Sequence, residues 1–319
     1  MHAVVIDQKS LRVDERPTPS PTPGQVLVAT AYAGLNAADL LQRRGHYPSP
    51  PGWPADIPGM EFSGRIVAVG ADVDPGWIDR RVCAIVGSGA QATHVLVPAA
   101  HLLMVPESIE LRDAGGFAEA FLTAFDALVI QGELREGQRV LVSGASGGVG
   151  TAAVQIAALY GAHVTAVTRD GTHDAALRDL GAHEVIRVAD VATLEPVDVV
   201  LELVGAAHLS IVQDRLAPFA RVVVIGVAGG GSRTEINLLN IMRTRARLTG
   251  STLRSRSHDE KAHLSERVRA ELLGPWARGE LRVPVAATFA LDEVDQAYTY
   301  FAQPGKFGKV LLEMPDASS

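Results

Sequence analysis

The sequence predicts an α/β protein in which a parallel sheet, covered by helices on both faces, is joined to a lobe rich in short β-strands. Short apolar runs alternate with helix-like segments from about residue 114, and a glycine-rich turn follows the first run. Residues 1 to about 110 instead carry strand-like runs separated by Pro and Gly. Because 319 residues exceed one typical core, two domains are expected.

The first lobe contains the strand-like runs "HAVVI", "QVLVATAYA", "SGRIVAVG", "RVCAIV" and "THVLVP". Turn signals such as "PTPSPTPG" and "DVDPG" separate them, which favours a β-rich lobe with a partly closed sheet. The tail ends in a strand-like "GKVLLEM" and has the apolar runs to return to this lobe. We therefore predict one domain from residues 1–113 and 257–319, and another from 114–256.

The second domain alternates strand-like and helix-like segments. The strand-like runs are "RVLVSG", "HVTAVT", "HEVIRV", "VDVVLELVG" and "RVVVIGV", and helix-like runs such as "GTAAVQIAALYG" lie between them. Strands this apolar are typical of a parallel sheet that is buried on both faces. The basic stretch "RTRARLTGSTLRSR" alternates with apolar residues and is interpreted as strand and loop.

The turn "SGASGGVG" follows a strand and opens a helix, as in a Rossmann dinucleotide-binding fold. Gly147 would let a pyrophosphate approach the backbone, and Gly150 would let the helix pack on the strand. The helix N-terminus would offer free N–H groups to the phosphates. The predicted cofactor-binding residues of the turn are Ala145, Ser146, Gly147, Gly148, Val149 and Gly150.

The end of the second strand of this domain indicates which nicotinamide cofactor binds. An NAD site usually has Asp or Glu there, whereas this strand ends at Thr168 and Arg169. Arginine pairs well with a 2′-phosphate, so we expect NADPH. Asp170 could still be the ribose-binding acid if the turn is shifted, and Arg187 is a second candidate for the phosphate or adenine rim.

Composition excludes several classes of function. The net charge of −7 disfavours nucleic-acid binding, and no apolar run is long enough for a membrane span. Cys83 is the single cysteine, so neither a disulfide framework nor a cysteine zinc site is possible within the chain. No signal peptide is evident, and the expected location is the cytoplasm. The expected partner is a small-molecule substrate, with neither nucleic acid nor membrane.

These features together resemble the zinc-free quinone oxidoreductases of the medium-chain dehydrogenase/reductase superfamily, related to zeta-crystallin. The similarity is greatest to the tumour-suppressor-inducible quinone oxidoreductase branch, and it covers essentially the full length. It is carried by "GLNAADLLQRRGHYPSPPG", "GMEFSGRIVAVG", "AEAFLTAFDAL", "ASGGVGTAAVQIA", "STLRSR" and "GKFGKVLLE", in family order. The resemblance implies a GroES-like β-rich catalytic domain, discontinuous around a Rossmann domain, and a homodimer.

The resemblance also implies a reaction without metal. Zinc-dependent members of the superfamily bind a catalytic zinc through Cys and His, but here Asn36 falls near the first ligand position and Met60 replaces His in "GMEFSG". Without thiolate and imidazole ligands, alcohol oxidation by the zinc mechanism is not expected. No metal-ligating residues are predicted.

Two residues are candidates for substrate contact. Tyr47, in "RRGHYPSPPG", could donate a hydrogen bond to a quinone oxygen, or could pack on the neighbouring prolines. Asn36 could bind cofactor or acceptor, or cap the following helix.

Thr123 matches the family threonine near the nicotinamide, or is a mid-helix threonine bonded to its own backbone. Gly226, in "VVVIGVAGG", would leave room for the ring beside its strand end. The resemblance adds, as cofactor-binding candidates, Leu253 and Phe307, and also Lys309, which could reach the cofactor or be a surface lysine.

The predicted function is NADPH-dependent quinone reduction by hydride transfer. A quinone is electron-poor and its reduced form is mildly acidic, so it needs less acid catalysis than a ketone. Two alternatives stay open. One is a zinc-free reductase of activated C=C bonds, such as enones or enoyl thioesters, and the other is an NADPH-binding regulatory or structural protein with little turnover.

Overall fold

The chain divides into two compact units in a computed structural model that describes residues 1–227, 229 and 231–315. Unit 1 combines Met1–Leu122 with the chain from Leu253 onward, and unit 2 is the segment between them, Thr123–Thr252. The arrangement is discontinuous, like the predicted one, but unit 1 extends to Leu122 where 113 was predicted and resumes at Leu253 where 257 was predicted. Among the described residues, no helix has the length and apolar character needed to cross a bilayer.

Strands and helices are labelled in chain order. The strands are β1 (His2–Asp7), β2 (Ser10–Glu15), β3 (Gln25–Gly34), β4 (Glu61–Val69), β5 (Arg81–Ile85), β6 (His94–Pro98), β7 (Leu103–Met104), β8 (Arg139–Val142), β9 (His163–Thr168), β10 (Glu184–Arg187), β11 (Val197–Glu202), β12 (Leu216–Val224), β13 (Arg247–Gly250), β14 (Val285–Ala290) and β15 (Lys309–Glu313). The α-helices are α1 (Ala37–Arg43), α2 (Leu111–Ala114), α3 (Ala118–Phe125), α4 (Gly148–Leu159), α5 (Asp174–Asp179), α6 (Ala206–Val212), α7 (Leu238–Thr244), α8 (His258–Glu271), α9 (Leu273–Ala277) and α10 (Val294–Ala302).

Unit 2 is built on a six-stranded parallel sheet with the order β10-β9-β8-β11-β12-β13. This is the doubly wound Rossmann order, which reverses direction between β8 and β11. The central strands are apolar because both faces are covered: Leu141, Val200 and Val222 are buried in one core cluster. The predicted parallel sheet is confirmed, and its reversal point places the ends of β8 and β11 where such folds bind ligands.

Unit 1 is β-rich, as the turn-separated runs of the first lobe predict. Its main sheet has the order β14-β15-β3-β4-β5-β7, β6 also pairs with β3, and β1 and β2 form a separate hairpin. The predicted return of the tail is confirmed, because β15 pairs antiparallel with β3. A buried cluster that includes Val28, Phe62 and Val82 forms one of its cores.

The long helical pattern that begins near Leu111 is broken into three pieces. α2 ends before Gly115, α3 begins at Ala118, and a π-helical turn follows over Asp126–Gln131. A Cβ atom on Gly115 would lie 2.6 Å from Cβ of Tyr32, so the backbone approaches β3 at a distance that only glycine permits. Periodicity alone does not reveal such a break, since the apolar spacing continues across it.

Candidate functional site

The glycine turn lies at the reversal point of the unit 2 sheet, between the end of β8 and the start of α4. Gly144 has a left-handed backbone, with φ of 59°. A Cβ on Gly150 would lie 2.5 Å from the Gly144 carbonyl oxygen, whereas a Cβ on Gly147 would have its nearest neighbour 3.5 Å away. Gly150 therefore serves helix packing, and the exposed Gly147 leaves room for a ligand at the helix N-terminus. These features fit the phosphates of a dinucleotide.

The other side of the reversal point carries a buried polar network that the sequence analysis missed. Glu202, at the end of β11, is fully buried and accepts hydrogen bonds from Ser143 Oγ (2.9 Å), His208 Nδ1 (2.5 Å) and two backbone N–H groups, of Val204 and Gly205. Burial alone would raise the pKa of Glu202, but these donors outweigh it and hold the pKa below its usual value. The network fixes the loops after β8 and β11 against each other. The one sequence signal was a glutamate inside the apolar run "VDVVLELVG".

Thr123 opens unit 2 within α3. Its hydroxyl oxygen is buried and has no hydrogen-bond partner among the described residues. The hydroxyl therefore does not bond to the backbone of its own helix, which was the alternative to a nicotinamide contact. A buried hydroxyl without a partner costs free energy unless a ligand supplies one. This orphaned atom agrees with the predicted nicotinamide contact, which stays a prediction.

The two arginine candidates lie at the ends of neighbouring strands: Arg169 directly follows β9, and Arg187 is the last residue of β10. Arg187 of β10 is in register with Thr168 of β9; its guanidinium donates to Thr168 Oγ1 (2.8 Å) and pairs with Asp174 (2.6 Å). Arg169 is exposed and has no hydrogen bond or ion pair among the described residues. The Asp170 carboxylate accepts hydrogen bonds from the side chain and from the backbone N–H of Thr172, and these bonds lower its pKa. Of the two arginines, Arg169 is thus the one whose guanidinium is free for a ligand.

A buried ion pair occupies the region of unit 1 around Asn36. The Lys309 ammonium pairs with Glu61 Oε1 (2.6 Å) and donates to Asn36 Oδ1 (2.7 Å) and the Leu35 carbonyl (2.9 Å). The Asn36 amide donates to the same Glu61 oxygen (3.0 Å). All three donors of Lys309 are therefore used inside unit 1, and a cofactor contact by Lys309 or Asn36 would require one of these bonds to open.

Asn36 also precedes α1, where a capping role was the alternative to a site role. Its backbone N–H donates to Asp39 Oδ2 (2.8 Å), while its side chain points to Glu61 and Lys309. Burial raises the pKa of Asp39 to about 6. Asn36 thus joins the helix start to the ion pair.

Tyr47 is held through its backbone by an arginine that the sequence analysis did not single out. Arg254 is buried and donates to the carbonyl oxygens of Gly87 (2.6 Å) and Tyr47 (3.1 Å) and to Gln42 Oε1 (2.5 Å). Its guanidinium carbon lies 5.1 Å from the centre of the half-buried Tyr47 ring. The Tyr47 hydroxyl has no hydrogen-bond partner among the described residues, so it is available to an acceptor.

The remaining cofactor-binding candidates lie in different units. Gly226 follows β12 in unit 2, where a Cβ would lie 2.7 Å from the Leu203 carbonyl oxygen. Leu253 is buried and Phe307 half-buried in unit 1. No group of three or more His, Cys, Asp or Glu residues within the described ranges is arranged to hold a metal ion. Unit 2 brings together the predicted turn, Thr168 and Arg169 at one end of its sheet, and unit 1 brings together Asn36 and Lys309.

Comparison with known proteins places both units in one family. Residues 148–269 match the family described as zinc-binding dehydrogenase, and residues 22–107 match the alcohol dehydrogenase GroES-like domain. The chain is 30% identical to the synaptic vesicle membrane protein VAT-1 homolog of Rattus norvegicus, over 95% of this chain and 80% of that protein. It is also 30% identical to prostaglandin reductase-3 of Mus musculus, over 94% of this chain and 84% of the relative.

Solved structures of related proteins share the fold of this chain over nearly its whole length. An alcohol dehydrogenase superfamily protein from Novosphingobium aromaticivorans superposes with a TM-score of 0.88 and 29% identity, covering 99% of this chain and 100% of that one. The quinone oxidoreductase from Coxiella burnetii gives a TM-score of 0.78 and 25% identity, with 99% of each chain covered. The chain therefore belongs to the medium-chain dehydrogenase/reductase superfamily, as its motifs predict, and is an oxidoreductase whose fold binds a nicotinamide cofactor.

Proposed function

We propose that this protein is an NADPH-dependent quinone reductase that works without a metal. When bound, NADPH would supply a hydride from its nicotinamide ring. The chain's own residues would bind the phosphates at the glycine turn, offer Thr123 to the ring, and present the Tyr47 hydroxyl to an oxygen of the acceptor.

The observation that carries the metal-free assignment is the buried ion pair. The two positions where zinc-dependent relatives have Cys and His hold Asn36 and Met60, and the Asn36 amide is fully engaged by Lys309 and Glu61. Neither side chain supplies the thiolate or imidazole that zinc prefers. A quinone accepts hydride readily without Lewis-acid help, which matches such a site.

The charges at the end of β9 support NADPH over NADH. Arg169 is exposed with an uncommitted guanidinium, and Arg187 lies on the adjacent strand. Guanidinium groups bind phosphate through paired hydrogen bonds. Asp170 is the competing feature, because an acid near this strand end would favour a free ribose hydroxyl.

Reduction of an enone is the second candidate function. It is favoured by the similarity to prostaglandin reductase-3, a reductase by its name. The same cofactor residues would serve, and the Tyr47 hydroxyl would face a carbonyl oxygen in either substrate.

The test is oxidation of NADPH and of NADH, side by side, with a 1,4-quinone and with an enone of matched size. We expect turnover of the quinone with NADPH. Arg169→Ala should raise KM for NADPH about tenfold or more, the loss expected for a charged hydrogen bond, and leave KM for NADH unchanged. Arg135→Ala is the matched control, an exposed arginine before β8 at the opposite end of the sheet.

The other outcomes of this test would contradict a stated part of the proposal. Enone turnover with the quinone inert would replace the substrate class and keep the cofactor. A preference for NADH, or a silent Arg169→Ala, would contradict the proposed role of Arg169. Cofactor binding without turnover over a broad acceptor panel would favour a regulatory or structural protein.

We further propose a homodimer formed through unit 2. β13 is the edge strand of its sheet, and all four of its residues are exposed. Exposed apolar side chains cluster in sequence beside it on α7, at Leu238, Leu239 and Met242. An exposed sheet edge with exposed apolar side chains beside it in sequence is a site for pairing with another chain. Light scattering should report twice the mass of the chain, and a monomer would contradict the proposal. A cytoplasmic location stays a prediction.

A further inference from the structure

Asp174, the first residue of α5, holds the guanidinium of Arg187 at the end of the unit 2 sheet. Asp174 Oδ2 accepts from Arg187 Nη2 at 2.6 Å, and Arg187 Nη1 donates to Thr168 Oγ1 at 2.8 Å. The Asp174 side chain is 22% exposed and the Arg187 side chain 32%. The two charges are therefore partly shielded from solvent and interact more strongly than a fully exposed pair would.

The Arg187 guanidinium also contacts the loop that connects β9 to α5. A Cβ on Gly171 would lie 3.1 Å from Arg187 Nη2, so the guanidinium packs against the loop backbone. The exposed Arg169 belongs to this same loop. Because the second strand of a Rossmann sheet ends beside the ribose of the cofactor, both arginines lie at the strand end to which a 2′-phosphate would bind.

Three carboxylates act on Arg187, but they do so in different ways. The hydrogen bond to Asp174 is the main cause that raises the pKa of Arg187, and the charges of Asp170 and Asp190 add to it. Asp190 Oδ2 accepts from the backbone N–H of Arg187 (3.0 Å), and Asp170 Oδ1 accepts from the backbone N–H of Thr172 (3.0 Å). Within the described part of the chain, Asp174 is thus the carboxylate that bonds to the guanidinium itself.

The Asp174 carboxylate depends on Arg187 as its counterion. Its second oxygen, Oδ1, is buried and has no hydrogen-bond partner among the described residues. A buried carboxylate oxygen without a donor is costly, so the single interaction with Arg187 matters more for this group. An anion that bound Arg187 would have to share the guanidinium with Asp174.

A carboxylate and a phosphate compete for one guanidinium in two respects. Both accept hydrogen bonds from its N–H groups, and both are negatively charged, so they repel each other. An uncharged ribose hydroxyl, as in NADH, meets neither obstacle. The Asp174 charge therefore acts against NADPH and not against NADH.

We propose that Asp174 is a specificity-determining residue that limits the preference of this protein for NADPH over NADH by keeping Arg187 occupied. The inference rests on the proposed function and names the residue that sets cofactor choice at the same site. In the wild-type protein Arg169 binds the 2′-phosphate, and Asp174 withholds the second arginine.

The first test measures binding without turnover. NADPH and NADH are titrated separately into the wild-type and Asp174→Asn proteins by isothermal titration calorimetry. Asparagine keeps the shape of the side chain and one acceptor oxygen but removes its charge. Asp174→Asn should lower Kd for NADPH about fivefold, the size of one partly exposed charge interaction, and leave Kd for NADH unchanged. If circular dichroism shows that this variant does not fold, Asp174→Ser replaces it.

Asp179→Asn is the matched control. It removes the same charge from the other end of α5, where the side chain is exposed, and should change neither Kd. If Asp179→Asn tightens NADPH binding as much as Asp174→Asn does, the effect belongs to the net charge of the protein and the proposal is overturned.

A double-variant cycle tests whether Asp174 acts through Arg187. In an Arg187→Gln background, most of the effect of Asp174→Asn on Kd for NADPH should disappear. An equal effect in both backgrounds would overturn the proposal. In quinone reduction, Asp174→Asn should lower KM for NADPH and leave kcat unchanged, a split that general damage to unit 2 would not produce.

The outcomes separate the two proposals. A wild-type protein that reduces the quinone with NADPH, with an Asp174→Asn variant that binds NADPH no more tightly, overturns the role of Asp174 and leaves the proposed function intact. A variant that binds both cofactors more tightly by the same factor does the same. A wild-type protein that binds neither cofactor overturns the proposed function and the role of Asp174 together.

Discussion

Removal of the Lys309 ammonium should destabilise unit 1 far more than removal of any surface cation. The ammonium lies 2.6 Å from Glu61 Oε1, and the two side chains are 4% and 0% exposed. At an effective dielectric constant of about 20, the attraction at this distance is about 6 kcal/mol before the cost of desolvation. Breaking a buried pair on one side typically costs about 3–5 kcal/mol, because the remaining charge stays buried without a partner. We expect Lys309→Met to lower the free energy of unfolding by that amount.

Urea unfolding followed by tryptophan fluorescence is the assay. The three tryptophans, Trp53, Trp77 and Trp276, all lie in unit 1, so their emission reports this unit alone. Arg12→Met is the control, because Arg12 pairs with Asp7 at 2.5 Å but both side chains are about half exposed. Solvent screens such a surface pair, so its loss should change the free energy of unfolding far less than loss of the buried pair.

A double-variant cycle isolates the pair. Glu61→Gln added to Lys309→Met should recover much of the lost stability, because no unpaired charge is left buried. The reasoning is refuted if Lys309→Met costs no more than Arg12→Met. It is equally refuted if the losses of the two single variants simply add.

Three further predictions concern other parts of the chain. Gly150→Ala should destabilise unit 2 by about 1–3 kcal/mol in circular dichroism melts, because the new Cβ would meet the Gly144 carbonyl oxygen. Gly147→Ala has room for its Cβ and should fold normally, but it should bind NADPH more weakly in a fluorescence titration. Cys83 is fully buried, which raises the pKa of its thiol, so it should react with a thiol reagent only after denaturation; labelling of the native protein would contradict this. The pKa of Glu202 is lower in the folded protein, so its stabilising effect is present above its unfolded pKa and is lost as the pH falls. Glu202→Gln should therefore lose less stability than wild type between neutral pH and pH 4, measured by urea unfolding.

Local patterns in the sequence were enough to predict much of the fold. The parallel sheet and the dinucleotide turn could be predicted from the sequence because each depends on residues that are neighbours in the chain. These residues are the apolar runs that form β8 to β12 and the glycines after β8. The buried pair of Glu61 and Lys309 joins residues 248 positions apart, and the contact of Ser143 with Glu202 spans 59 positions. Only tertiary structure brings such groups together. The family resemblance thus indicated that Lys309 could matter, but not that its charge is already neutralised.

The position of β15 has a consequence for how the protein is made. This strand lies between β14 and β3 in the unit 1 sheet, yet among the described residues it comes last in sequence order. During synthesis unit 2 can be complete before unit 1, because domains fold as units while the chain emerges. Until β15 has been synthesised, β3 lacks its β15 partner and Glu61 lacks its counterion, Lys309. The nascent chain therefore exposes an unfinished β-sheet to chaperones until residues 309–313 have been synthesised.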